Sequence, residues 1–250
     1  MAPGAIGWYY GNPGAFSYSH TLSLNTFMLG FGPRLHVFTA GSQDVNNRFV
    51  ASQLLYGSPL ALPVPDVLRT DLLVVIGANP IVSHGSVLTV PRIKDRMHDI
   101  VKRGGRVLVI DPRKTETAAQ FEWLGIIPDG DAYLLLSLLH VLFGENLADR
   151  ARLRPSGRRR RLAGTAGQAV QPRGHRAAHR HRPRHRARTG PRPGPHPRRA
   201  AVYGRVGTST GENGTLTTYL LDAVNLVAGN LDQPGGSMFG SFGMPGSAGG

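Results

Sequence analysis

The chain has 250 residues, room for one large domain or two small ones, and its 29 Lys+Arg against 15 Asp+Glu give a net charge of +14. That charge is concentrated: residues 151–200 hold 16 arginines and no acidic side chain, so the remainder is close to neutral and a uniformly basic domain is excluded. There is no cysteine, which excludes disulfides, thiolate zinc sites, cysteine-ligated clusters and cysteine nucleophiles on this chain, and no run reaches the ~18 apolar residues of a membrane span.

Met1-Ala2-Pro3-Gly4 carries no basic region ahead of an apolar one, so no secretory signal and a cytoplasmic location are expected. Ala5–Tyr10 is apolar and aromatic and is broken by Gly11-Asn12-Pro13-Gly14, the pattern of a buried strand and a turn. Arg34–Ala40 reads as a second strand. Asn46–Tyr56 has helical spacing, with Phe49, Val50 and Leu54 on one face. Leu60–Pro65 is Pro-rich and reads as a linker.

Leu72–Ile76 is a continuous Val/Ile-rich run, as expected of a parallel strand covered on both faces. It ends in the turn Gly77-Ala78-Asn79-Pro80. Val90, Ile93, Met97, Ile100 and Val101 recur at helical spacing and predict an amphipathic helix over Val90–Lys102, stopped by Gly104-Gly105. Val107–Ile110 is a further buried strand ending in Asp111-Pro112-Arg113. Strand, helix and strand in this order make a βαβ unit with a right-handed crossover. Ala132–Phe143 is apolar almost all round and predicts a buried helix with Asp131 as N-cap.

Residues 151–200 are dominated by Arg, Pro, His, Gly and Ala. They can bury little apolar area and their like charges repel, so a disordered insert is expected. Ordinary composition returns at Ala201. Val202–Val206 predicts a strand, Leu216, Tyr219, Leu220, Ala223, Val224 and Val227 a helix ended by Gly229-Asn230, and Gly235–Gly250 a glycine-rich tail. The expected fold is α/β, with Rossmann-like parallel-sheet units interrupted by the disordered Arg/Pro-rich insert. The expected segments are a first α/β segment (1–66), a βαβ nucleotide-binding-like domain (67–150), the insert (151–200), and a return strand and helix of the first segment with its tail (201–250).

Ligands of open parallel sheets bind at the carboxyl ends of the strands. There the Gly77 turn lets backbone approach a phosphate, and Asn79 adds a donor and an acceptor. Asp111 can accept from a ribose hydroxyl or a purine edge. Arg113 and Lys114 can meet phosphate, and Thr115 and Thr117 add hydroxyls. The same residues also suit an ordinary β-turn and a helix-entry turn. No GxGxxG follows either strand, which weighs against an NAD site. Gly204-Arg205-Val206-Gly207-Thr208-Ser209-Thr210 is a strand followed by small hydroxyl residues, equally readable as a plain loop. Among the histidines none has metal-ligand spacing, and His84 is singled out because it follows the Asn79 turn.

Four segments in this order resemble the molybdopterin-dependent oxidoreductases, the family of formate dehydrogenases, periplasmic-type nitrate reductases and dimethyl sulfoxide reductases. They are Gly11-Asn12-Pro13, Val75–Pro80, Val109–Ala118 and Gly204–Leu231, the last ending in Gly229-Asn230-Leu231-Asp232-Gln233-Pro234-Gly235-Gly236. The resemblance implies an enzyme whose bis(guanine dinucleotide) molybdopterin cofactor carries molybdenum. Asn79 and the Gly77 turn would hold one nucleotide arm, Asp111 would read the guanine or ribose with Arg113 beside it, and Gly11, Asn12, His84 and Thr115 are further cofactor-binding candidates. Asp131 would add a nucleotide contact, and Gly207, Thr208 and Thr210 would lie over a pterin. It also implies an electron-transfer partner subunit or carrier.

Two departures stand out. The family begins with a cysteine-rich segment holding a [4Fe–4S] cluster, whereas this chain has no such ligands and is expected to be an internal fragment. Asp44–Val50 matches the stretch that carries the metal-binding Cys or selenocysteine, with Val50 at the ligand position, and neither Ser52 nor Asp44 is assigned in its place. No catalytic residue and no metal ligand is therefore named, and the chain is expected to be inactive as written. Read from the second base with suitable synonymous codons, Pro183–Pro197 becomes Pro-Asp-Thr-Val-Arg-Ala-Leu-Ala-Arg-Asp-Leu-Ala-His-Thr-Pro. That sequence has a helix start, both charge signs and apolar helical spacing, so a frameshift is the expected origin of the insert. The alternative is a nucleotide-binding α/β module with a genuine nucleic-acid-binding arm.

Overall fold

The computed structural model describes residues 7–11, 17–31, 36–85, 87–88, 90–151, 153 and 199–240. The chain divides into two compact units, 1–46 and 47–250. The boundaries expected at 66, 150 and 200 do not coincide with that division. The expected disorder of the insert falls almost wholly outside the described residues.

In the N-terminal unit, β1 (Gly7–Tyr10) and β2 (His36–Thr39) pair in parallel, joined through helix α1 (Tyr18–Phe31). A short helix, α2 (Gly41–Asp44), follows β2. The sequence reading missed α1, whose Ser, Thr and Gly dilute any apolar stripe. The first strand is less buried than expected: Tyr9 is exposed, while Trp8 packs on Phe27 of α1 with ring centroids 5.7 Å apart.

The second unit begins with α3 (Asn46–Tyr56), as the spacing predicts. Its centre is a parallel sheet in the order β6-β5-β4-β7, formed by β4 (Leu72–Ile76), β5 (Arg106–Ile110), β6 (Glu122–Leu124) and β7 (Ala200–Gly204). β4 pairs β5 in parallel from Leu72↔Arg106 to Ile76↔Ile110, so the expected βαβ unit is present. On its other side β4 pairs β7 from Leu72↔Ala200 to Ile76↔Gly204. The segment after the insert therefore completes the sheet of 67–150, rather than standing with 1–66.

Side chains alternate across this sheet with period two. Leu73, Val75, Val107, Val109, Ala201 and Tyr203 meet Ile93, Met97 and Ile100 of α5 (Ile93–Lys102) on one face. Val74, Ile76, Leu108, Ile110 and Val202 meet Leu135 and Leu139 of α6 (Asp131–Gly144) and Leu220, Leu221, Val224 and Val227 of α8 (Gly214–Val227) on the other. Covering on both faces is why these strands read as unbroken apolar runs.

Several boundaries differ from expectation for local reasons. α5 starts three residues late, because Pro91 precedes Arg92 and Arg92 adopts left-handed backbone, φ 58°. β7 ends at Gly204 instead of Val206. A Cβ at Gly204 would lie 2.4 Å from Leu221 Cδ1, so the chain turns there into the single-turn helix α7 (Val206–Ser209). Asp131 is the first residue of α6, not its N-cap; Gly130 takes that place, where a Cβ would meet Ile127 O at 2.9 Å. α6 is buried on one side only, with Tyr133, Leu138 and Val141 exposed.

The Leu60–Pro65 linker is in part a strand. β3 (Pro63–Pro65) pairs antiparallel with β8 (Ser237–Phe239), which itself lies in the expected glycine-rich tail. Prolines lack the ladder N–H and are confined to edges, so only a short edge pairing forms. Glu122–Leu124 was also missed, being too short and too exposed to show a pattern.

Candidate functional site at the carboxyl edge of the sheet

β4 has β5 on one side and β7 on the other, so the strand order reverses beside β4. In open α/β sheets such a switch point, at the carboxyl ends of the strands, is where ligands bind. The loops after β4 and β7 meet there. Gly207 N–H donates to Gly77 O at 3.0 Å, and Gly77 N–H donates to Ile110 O at 2.9 Å. Gly77 has φ 57°, and a Cβ on it would lie 2.9 Å from Gly207 Cα, while a Cβ on Gly207 would lie 2.7 Å from Gly77 Cα. The close backbone approach expected of Gly77 is made to the protein's own second loop.

Asn79 is likewise engaged within the chain. Its Oδ1 accepts from Thr117 N–H at 3.2 Å and Thr117 Oγ1 at 2.7 Å, and its Nδ2 donates to Glu116 Oε2 at 2.6 Å. Thr117 Oγ1 also accepts from Ile81 N–H at 3.1 Å. Asn79 thus ties the turn after β4, which opens α4 (Pro80–Ser83), to the loop after β5. His84 ends α4 in left-handed backbone, φ 57°, with its side chain exposed. Thr115 is buried, and its Oγ1 accepts from Ala118 N–H at 3.1 Å, which shapes the turn.

Asp111 follows β5 directly. Its Oδ1 accepts from Arg113 N–H at 2.9 Å, and its carbonyl accepts from Trp123 Nε1 at 3.0 Å. Oδ2 has no partner among the described residues. Partial burial raises the Asp111 pKa, opposed by the Arg113 N–H and then the Arg113 charge. The Arg113 side chain is 69% exposed and only 3.7 Å from Glu116 at closest, so it is available to an anion.

Asp131 is 7% exposed at the start of α6. Burial pushes its pKa up to about 6; its own backbone N–H works against that, and the charges of Asp129 and Asp111 add to it. Three carboxylates therefore gather at this edge. Asp129, which the sequence reading did not single out, accepts from Glu212 N–H at 3.2 Å and so joins the loop before α6 to the loop before α8.

Across the switch point, Thr208 is buried and its Oγ1 donates to Arg205 O at 2.6 Å, while Thr210 Oγ1 donates to Val206 O at 3.1 Å. Both hydroxyls stabilise the α7 turn. Asn47 clamps this segment: its Nδ2 donates to Ser209 O, and its Oδ1 accepts from Thr215 Oγ1 at 2.7 Å. Beside it Arg48 pairs with buried Asp222 at 2.8 Å, joining α3 to α8. Arg205, at the end of β7, has a buried Nε with no acceptor among the described residues.

The structure thus brings Gly77, Asn79, Asp111, Arg113, Thr115, Asp131, Gly207, Thr208 and Thr210 to one sheet edge. Gly11 follows β1 in the N-terminal unit, and Asn12 lies outside the described residues. Val50 is exposed on α3, and Ser52 is sealed inside with its hydroxyl unpartnered. Asn47, Arg48 and Arg205 lie in stretches the sequence analysis marked, but their own roles, like that of Asp129, were not assigned there. Within α3, Asn47 and Arg48 are offset from the apolar face.

The molybdopterin oxidoreductase model matches residues 11–244. The chain belongs to the molybdopterin oxidoreductase family. The family is one of oxidoreductases that carry a molybdenum–pterin cofactor. Among curated relatives, dimethyl sulfoxide reductase DmsA of Escherichia coli is 36% identical over 88 residues, 34% of this chain and 11% of that one. Formate dehydrogenase H of the same organism is 33% identical over 89 residues, 35% of this chain and 12% of that one. Acetylene hydratase from Pelobacter acetylenicus superposes with a TM-score of 0.64 at 18% identity, covering 91% of this chain and 30% of that chain, which supports the fold. The chain thus spans a small part of the relatives it matches. No helix among the described residues is long and apolar enough to cross a membrane.

The donor and acceptor set at the edge suits a polar, anionic ligand such as a pterin cofactor. Carboxylates at Asp111 and Asp131 can accept hydrogen bonds from N–H or O–H groups of a ligand. The exposed Arg113 guanidinium can donate to phosphate oxygens.

Proposed function

We propose that this chain is a segment of a catalytic subunit of the family, and that its sheet edge binds one guanine dinucleotide arm of the cofactor. The gathering of Asp111 and Asp131 beside the switch point carries this reading. When bound, the cofactor supplies two-electron redox chemistry to a small substrate such as formate or an oxyanion.

The chain's own residues have distinct tasks. Asp111 presents its unpartnered oxygen to the ribose or guanine, and Arg113 neutralises phosphate. Asp131, mostly ionised above pH 6, accepts from a nucleobase N–H. Gly77, Asn79, Thr115, Gly207, Thr208 and Thr210 hold the three loops in place, and Asn79 acts through Thr117 and Glu116. Gly11, Asn12 and His84 are given no task of their own in this assignment. Orientation of the cofactor is the protein's contribution to such chemistry.

As written, the chain is inactive in this reading. It has no cysteine for a cluster or a thiolate ligand, and Val50 stands at the matched ligand position. Residues 151–200 are a shifted frame in place of a packing segment. Electron exit in the intact family runs through the [4Fe–4S] cluster of its cysteine-rich segment, whose ligands this chain lacks, to a partner subunit or carrier. Titration of the purified chain with GDP tests the binding claim: saturable binding is expected, weakened roughly tenfold or more by Asp111→Asn. Equal GDP affinity in that variant contradicts it. Stoichiometric molybdenum together with dye reduction by formate would overturn the inactivity.

A further inference from the structure

Met238 is where the strand β8 meets a cation. β8 is a narrow strap: it pairs only with Pro63–Pro65 of β3, in which two of the three residues lack a ladder N–H. Its approach is fixed by Asp66, whose N–H donates to Gly236 O at 2.8 Å and whose Oδ2 accepts the Gly235 N–H at 2.8 Å. The same oxygen takes Arg69 Nε at 2.5 Å, and Arg69 Nη2 donates to the Met238 sulfur at 3.6 Å. One guanidinium thus joins the 66–69 turn to the strap. The Arg69 side chain is 57% exposed and that of Asp66 9%, so the cation lies at the surface while a nearly buried carboxylate sets its orientation. Met238 is half-buried, whereas Met97 is sealed inside the unit.

A thioether is a weak acceptor, so the bond from Arg69 to the sulfur contributes little as it stands. A sulfoxide oxygen is a much stronger acceptor, and a guanidinium bonded to it makes a charge-assisted hydrogen bond. We infer that Met238 is a redox-modification site: a peroxide oxidises its sulfur to the sulfoxide, and Arg69 holds the new oxygen, tightening the β3–β8 strap. In that step a sulfur lone pair attacks one oxygen of hydrogen peroxide, the S–O bond forms and the O–O bond breaks. The sulfur loses two electrons, and the departing hydroxide takes up the proton of the transferred oxygen and leaves as water. Arg69 occupies one of the two sulfur lone pairs, so attack comes from the other. Sulfoxide sulfur is chiral, and one epimer therefore forms in excess. This inference is independent of the nucleotide reading.

The purified chain and its Arg69→Ala and Met238→Leu variants are treated with hydrogen peroxide, and oxidation is mapped methionine by methionine by mass spectrometry. In the parent chain Met238 should gain one oxygen about ten times faster than Met97, or more. Slow oxidation of Met97 in all three proteins shows that the variants fold. Digested fragments are then given methionine sulfoxide reductase A or B, each of which takes one epimer. One of the two enzymes should restore nearly all of Met238 from the parent chain, and both should restore comparable shares from Arg69→Ala. Hydrogen exchange reads the strap itself: peroxide should slow exchange at 63–66 and 235–239 roughly 3- to 10-fold in the parent chain and leave both variants unslowed. Met238 oxidised no faster than Met97, an even mixture of epimers in the parent chain, exchange there unchanged or faster after oxidation, or slowing that survives in either variant overturns the inference.

Discussion

Gly77 and Gly207 close the base of the switch point against each other: the Gly207 N–H donates to Gly77 O at 3.0 Å, and neither Cα leaves room for a methyl group on the other. The two loops that flank the candidate site are therefore set at a fixed separation by two residues without side chains.

Gly207→Ala should force the loops apart. A Cβ there falls 2.7 Å from Gly77 Cα, which is backbone and cannot rotate away. The expected cost is about 1–3 kcal/mol, read as a lower denaturation midpoint, together with weakened GDP binding. Gly144→Ala is the contrasting substitution: nothing lies within 4 Å of the new methyl, and it sits in the last turn of α6. It should be neutral or stabilise by up to about 1 kcal/mol.

Asp131 links stability to pH. Its folded pKa is raised from the usual 3.8 to about 6, so the folded state binds the proton more tightly than the unfolded chain. The stability from this group is full below the unfolded value and is lost as pH rises through about 6. Asp222, also raised by burial, acts in the same direction. Asp131→Asn should flatten the stability profile between about pH 4 and 6, and stabilise the chain at pH 7 by about 1–3 kcal/mol. GDP binding should behave oppositely, strengthening in the parent chain as Asp131 ionises and losing that dependence in the variant. Chemical denaturation and calorimetric titration across this range measure both.

The legible part of this protein was the part with strong periodicity. Leu72–Ile76 and Val107–Ile110 announced a parallel pair because both faces are covered, and Asp111 and Asn79 were found because they follow those strands. What escaped has physical reasons. Glu122–Leu124 and Pro63–Pro65 are three-residue strands held by neighbours distant in sequence. The role of Asn79 was misjudged because its partners, Glu116 and Thr117, lie 37 and 38 residues away. Arg48 and Asp222 are 174 positions apart, and no local pattern could pair them.

That pair is the clearest case where breaking and replacing should differ. Arg48 and Asp222 have side-chain exposures of 14% and 5%, and the Tyr56 hydroxyl beside them is raised above its usual pKa, by burial first and by the Asp222 charge second. Arg48→Met strands a buried carboxylate and should cost about 3–5 kcal/mol. The double change Arg48→Met with Asp222→Leu should recover most of that loss, because apolar replacement of a buried ion pair is often neutral. Urea denaturation of the two variants beside the parent chain measures the difference.

Hydrogen exchange of the chain with and without saturating GDP tests the central claim most directly. The expected footprint is slowed exchange at 77–80, 111–117, 129–132 and 205–212, the loops at the carboxyl edge of the sheet. Protection confined to 151–200, or spread along the outer face of α5, would contradict a nucleotide site at the switch point.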